Sequence, residues 1–137
     1  KKLIASVKGW KINLQICYDL RFPVWTRQPP GRKEEKYDLL INVANWPEQR
    51  NLAWNTLLRA RAIENQCFVV GLNRFGVDGN KNLYTGHSSV IDPLGEIIYY
   101  NNTSEDIFSC TLHKEKIIET RNQFPFWQDA DRFIINK

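Results

Sequence analysis

Residues Ile12 to Pro23 read INLQICYDLRFP, and this stretch sets the register for everything around it. Ile12, Leu14 and Ile16 alternate with polar residues, the period of a strand that buries one face. Pro23 suits the first turn of a helix, where its missing N–H costs nothing. Cys17 therefore stands where a strand stops and a helix is about to start. A thiol at such a junction lies in the field of a helix N-terminus, a setting shared by reactive cysteines. Two readings fit the stretch alone: a nucleophile, or a structural thiol of the kind commonly buried.

Working outward, Leu3 to Val7 and Trp10 to Cys17 form two strands around a turn at Lys8-Gly9. Phe22 to Gln28 is a short helix, broken by Pro29-Pro30-Gly31, and Arg32 to Lys36 is a charged loop. Tyr37 to Ala44, YDLLINVA, is an almost continuous apolar run, as expected of a strand buried on both sides. It runs directly into Asn45-Trp46-Pro47, and active-site residues often lie just past the ends of such strands. Glu48 to Gln66 is the clearest helix, with Trp54, Leu57, Leu58, Arg61 and Ala62 at helical spacing. Cys67 to Asn73 is a further buried strand, and Arg74 to Thr85 a loop rich in Gly, Asn and Asp. Gly86 to Asp92 and Glu96 to Tyr100 pair across Pro93-Leu94-Gly95. Asp106 to Thr111 is a last strand and Leu112 to Arg121 a last helix. The aromatic tail, with Phe124, Phe126, Trp127 and Phe133, is expected to dock on the domain or on a partner chain. This order gives an α/β class with helices on one face of a mixed sheet. The other face needs a cover that the chain does not supply.

Composition bounds the rest. The chain has 137 residues, 42% hydrophobic and 25% charged, the profile of one soluble globular domain. No apolar run approaches the roughly 18–20 residues of a membrane-spanning helix. The net charge of +4 is carried by scattered cations. Lys33, Lys36, Arg59, Arg61 and Lys114 interleave with glutamates, a solvated mixed surface rather than a nucleic-acid stripe. Cys17, Cys67 and Cys110 make an odd count without CxxC spacing, so neither a disulfide framework nor a metal knuckle is expected. A reducing cytoplasm fits this usage. There is no methionine, and the chain opens straight into a strand. Both features suit a piece of a longer protein.

Several residues have the types that catalysis needs. A nucleophilic Cys17 requires a base and a donor for the oxyanion, and the backbone N–H of Tyr18 is placed for the second task. Asn45 and Trp46 read either as a pocket wall facing Cys17 or as an ordinary helix entry with a packed indole. Only His87 and His113 could partner the thiol as a histidine, and neither lies in a thiol-protease signature. Arg59, Arg61 and Glu64 read as surface ion pairs on the long helix. Asp78-Gly79-Asn80 lacks the ligand series of a calcium loop and reads as a turn.

The segments ICYDLRFP, VANWP, LLRARAIENQCFVVGLNR, DGN, YTGHSSVIDPLGE and FPFWQDADRF occur here in one order. Together they resemble the carbon–nitrogen hydrolases of the nitrilase superfamily, most closely the ω-amidase branch. The likeness covers the chain from Val7 to Phe133. It implies a four-layer α-β-β-α sandwich of which residues 1–137 form the C-terminal part of one domain. It also implies acyl transfer through a cysteine thioester, with Cys17 as nucleophile, Tyr18 N–H at the oxyanion, and Arg21, Asn45 and Trp46 in the substrate pocket. The implied substrate is the ω-amide of 2-oxoglutaramate or 2-oxosuccinamate. No cofactor or metal is implied. The implied partners are a small amide and further copies of the chain in a dimer or larger homo-oligomer, with no nucleic acid and no membrane.

The family's triad is Glu–Lys–Cys, with glutamate and lysine upstream of the cysteine. Lys1, Lys2, Lys8 and Lys11 do not match that lysine, and Glu34, Glu35 and Glu64 follow Cys17 and do not match that glutamate. The expectation is an amidase chain that is inactive by itself. The alternatives are a shortened, non-catalytic binding or assembly module, and another branch of the superfamily such as a nitrilase or carbamoylase.

Overall fold

The computed structural model describes residues 3–28 and 36–131. The expected turn at Pro29-Pro30-Gly31, the loop through Glu35 and the docking of Phe133 lie outside the described residues.

A single mixed sheet organises the chain. Strands β1 (Ile4–Val7), β2 (Trp10–Ile16), β3 (Leu39–Ala44), β4 (Phe68–Asn73), β7 (Ser88–Ile91) and β8 (Ile97–Asn101) lie side by side in that order. β2, β3 and β4 run parallel, whereas β1, β7 and β8 join antiparallel. Between β4 and β7 sits a small separate hairpin, β5 (Phe75–Val77) with β6 (Leu83–Thr85). The polar Arg74–Thr85 stretch, expected as loop, thus contains a ladder. Its tip is the Asp78 turn, whose carboxylate accepts the Asn80 and Asn82 N–H groups at 2.9 Å each.

The long helix α2 (Asn51–Asn65) covers one face of the sheet. Trp54, Leu58 and Ala62 recur every four residues and are fully buried, which is the stripe that period predicts. Gln66 ends the helix in a left-handed conformation (φ +46°) and returns its N–H to the last turn. Gly71 of β4 lets the helix approach: a Cβ there would stand 3.0 Å from Trp54 Cζ2 and would also meet the Leu58 methyls. Leu20, Leu40, Trp46, Val69 and Ile91 complete the core.

The face assignment of β2 reverses the expectation. Asn13 and Gln15 point under the helices and are buried, whereas Ile16 is 68% exposed. The registers Ile16–Val43–Leu72 and Leu14–Ile41–Val70 carry the apolar alternation onto the face opposite α2. Leu14, Ile16, Val43 and Leu72 are therefore exposed, and β3 is buried on one side rather than two. The polar set is held inward by Gln15 Nε2, which donates to Thr26 Oγ1 at 2.9 Å.

Two further expectations change. Asp106–Thr111 forms no strand, because the β8 edge does not pair with it. The expected Phe22–Gln28 helix shortens to one helical turn, α1 (Pro23–Thr26), preceded by a 3-10 turn at Cys17–Arg21. The last helix, α3 (Lys114–Gln123), starts after His113. Its Arg121 donates to the Gln66 carbonyl at 3.1 Å and the Tyr37 carbonyl at 2.8 Å. These carbonyls precede β4 and β3, so α3 is tied to the N-terminal ends of those parallel strands. Within the tail, Trp127 docks half-buried, while Phe124 and Phe126 stay exposed.

Candidate active site

Cys17 follows β2 at the level where β3 ends in Ala44 and β4 in Asn73. The C-terminal ends of three parallel strands thus converge on one rim, the place where α/β sheets put their chemistry. The turn is strained and then pinned. Cys17 takes φ +43°, a left-handed backbone that a side chain with Cβ rarely adopts. Asp19 holds it from below: its carboxylate accepts the Ile16 N–H at 3.0 Å, and its carbonyl accepts the Phe22 N–H at 3.1 Å. Leu20 anchors the turn in the core, and Arg61 donates to the Leu20 carbonyl. The effect is to lift Cys17 out of the strand, half-buried, with its inner side against the core.

Arg61 was expected at the surface and is instead only 2% exposed. It spans α2 to the cysteine turn and pairs with Glu64 at 3.1 Å. Arg59 also does more than decorate the helix, since its Nε donates to the Gly95 carbonyl at 3.0 Å. Both partners are carbonyls far away in sequence, which a helical spacing rule does not see.

The neighbouring rim is built around Trp46. Its indole is buried and lies 5.4 Å from Trp54, centroid to centroid. The Arg21 guanidinium stacks 4.7 Å above the Trp46 ring. Cys17, Arg21 and Trp46 are thereby brought into one neighbourhood, with Asn45 exposed beside them. Tyr18 turns its ring outward against Phe22, edge to face at 5.1 Å.

Sequence reasoning passed over Asn73. Its Oδ1 accepts the Trp46 N–H at 2.7 Å, and its Nδ2 donates to the Trp46 carbonyl at 3.0 Å and the Gly86 carbonyl at 2.7 Å. One amide thus fastens the ends of β3 and β4 to the hairpin. The clue was available: an Asn closes β4 just as Ala44-Asn45 closes β3.

His87 takes a structural place. Its carbonyl accepts Trp54 Nε1 at 2.9 Å, and its Nδ1 meets Asn55 Nδ2 at 3.0 Å and the Tyr100 hydroxyl. Burial lowers its pKa, which favours the neutral ring in that setting. His113 is exposed at the start of α3. All three cysteines are free thiols, Cys67 buried and Cys110 exposed. Among the described residues no cluster of His, Cys, Asp and Glu could hold a metal ion. Among them, too, no helix is long and apolar enough to cross a membrane.

Comparison with known proteins yields one consistent set of matches. The family model "Carbon-nitrogen hydrolase" matches residues 2–122. Omega-amidase YafV of Escherichia coli K12 is 47% identical over 133 residues, 96% of this chain and 50% of that protein. The 2-oxoglutaramate amidase of Bacillus subtilis is 37% identical over 124 residues, 90% of this chain and 46% of that one. A CN-hydrolase superfamily protein of Xanthomonas campestris, solved with an arsenic adduct in its active site, superposes with a TM-score of 0.94. It is 46% identical and covers 99% of this chain and 52% of its own. The chain thus spans about half the length of the curated relatives it matches.

Proposed function

Because this chain belongs to the carbon–nitrogen hydrolase family of the nitrilase superfamily, we propose that it carries the nucleophile of an ω-amidase whose remaining catalytic groups lie outside residues 1–137. The observation that carries this reading is the pinned left-handed turn at Cys17, on the common rim of three parallel strands. It is supported by 47% identity to a protein named omega-amidase.

In this mechanism Cys17 Sγ attacks the ω-amide carbon of a 2-oxo acid. The Tyr18 N–H donates to the oxyanion that forms, a term that often dominates acyl transfer. The C–N bond breaks, and the nitrogen leaves as ammonia after gaining a proton. Water then attacks the thioester, releasing a carboxylate and restoring the thiol. Arg21, held over Trp46, supplies a cation for the substrate's carboxylate, and Asn45 lines the same rim. The acid–base glutamate and the oxyanion lysine implied by the family come from the absent part. So does the cover for the bare apolar sheet face, which completes a four-layer sandwich. A homo-oligomer in a reducing cytoplasm belongs to the same reading and is checked by sedimentation of the whole protein.

The test uses two proteins, the 137-residue chain and the whole protein containing it, assayed for ammonia release from 2-oxoglutaramate. The chain alone is expected to be alkylated at Cys17 by iodoacetamide yet to release no ammonia. The whole protein is expected to turn over, and its Cys17→Ser variant to be inactive. Ammonia release by the chain alone overturns the partial-chain reading. A whole protein that hydrolyses nitriles or N-carbamoyl amino acids in preference overturns the choice of substrate.

A further inference from the structure

The cations that look scattered in the sequence gather in one place in the fold. A cleft of about 260 Å³ is lined by Lys11, Lys36, Asp38, Lys114, Ile117 and Arg121. It lies at the N-terminal ends of β2 and β3, against α3, the edge of the sheet opposite Cys17. Four cations thus face one carboxylate. That carboxylate is already engaged: Asp38 Oδ2 accepts the Lys11 N–H at 3.0 Å and Lys114 Nζ at 2.9 Å, and Oδ1 lies 3.9 Å from Arg121 Nη1. Lys114 and Arg121 are further held by backbone carbonyls.

The remaining two ammonium groups belong to Lys11 and Lys36. Among the described residues, neither Lys11 nor Lys36 has a carboxylate in ion-pair range. Lys36 is the telling one, because it is only 4% exposed. A buried cation without a counter-charge is costly, and such groups are normally paired. Its ammonium rests 3.9 Å from the Trp127 ring, which steadies it without neutralising it. Burial first, and then the nearby Arg121, push its pKa down to about 8.

We propose that this cleft is a binding site for a small divalent oxyanion, a phosphate or a short dicarboxylate, held by the Lys36 and Lys11 ammonium groups over the Ile117 side chain. Lysine ammonium groups act as point charges toward such anions, while Arg121 is committed to carbonyls and serves as a fixed background charge. The site is separate from the Cys17 rim, and its occupancy does not depend on the amidase reading. By bridging β2, β3 and α3 through the ligand, the anion stabilises the fold in proportion to its concentration.

The test measures binding of inorganic phosphate and of glutarate to the whole protein containing this chain, by calorimetry and thermal shift, against chloride at equal ionic strength. Saturable binding of phosphate or glutarate is expected, and the tighter of the two assigns the source. Lys36→Gln is expected to weaken it about tenfold, the loss of one charge-assisted contact. Lys11→Gln, on the more open side of the cleft, is expected to weaken it as well and serves if Lys36→Gln fails to fold. Lys8→Gln, at the β1–β2 turn, should leave it unchanged. Thermal shifts no larger than those of chloride, or full affinity in both cleft variants, overturn the proposal.

Discussion

At the residue scale, the cysteines separate by environment alone. Burial drives the Cys67 thiol far above its ordinary range, so it stays protonated and inert. Iodoacetamide is therefore expected to label Cys17 and Cys110 in the folded chain and Cys67 only in denaturant, read by peptide mass spectrometry. Asn73 shows how one amide holds the rim. Asn73→Ala removes the acceptor of the Trp46 N–H and the donor to two carbonyls, and a loss of about 1–3 kcal/mol is expected in urea denaturation. The position of Cys17 at the end of a strand was legible from the sequence, because a strand, a cysteine and a helix-start proline follow one another within a dozen residues. Arg61 was not. Its partner is the Leu20 carbonyl, forty-one residues away, and no local pattern encodes that contact.

At the element scale, the helix α2 and strand β4 are matched through Gly71. Gly71→Ala should overpack against Leu58 and Trp54 and cost about 1–3 kcal/mol. Shortening the neighbour in Leu58→Ala should make the added methyl less costly, so a double-mutant cycle should show coupling between the two sites. The helix itself was readable, since its apolar stripe has the right period. The faces of β2 were not. An alternating strand announces that its two faces differ, but tertiary structure decides which is covered, and here the polar face is the buried one, with Gln15 held by Thr26 of α1. The Asp106–Thr111 segment teaches the same lesson. Its alternation is strand-like, yet a strand exists only where another edge accepts its hydrogen bonds.

At the scale of the whole molecule, the basic cleft gives stability a signature in pH. Lys36 titrates near 8 in the folded chain and near 10.5 when unfolded. Between those values the unfolded chain holds the extra proton, so stability contributed through Lys36 rises with pH. The groups facing it are Arg121, Asp38, Lys11, Lys114 and Glu64. Buried Tyr37 and Cys67 are shifted upward and oppose the trend at high pH. The clean measurement is thus the difference in denaturation free energy between the parent and Lys36→Met, which should move in the parent's favour from pH 8 to 10.5.

The left-handed turn at Cys17 finally says something about evolutionary drift. Folded chains keep only about 5–15 kcal/mol in reserve, and a non-glycine residue held at positive φ spends on the order of 1 kcal/mol of it. Glycine would remove that strain at no cost to the turn. Cys17→Gly should therefore melt higher than Cys17→Ala. If Cys17 is the proposed nucleophile, that strain is what its chemistry costs the fold, and a lineage relieved of the chemistry would be free to accept glycine there.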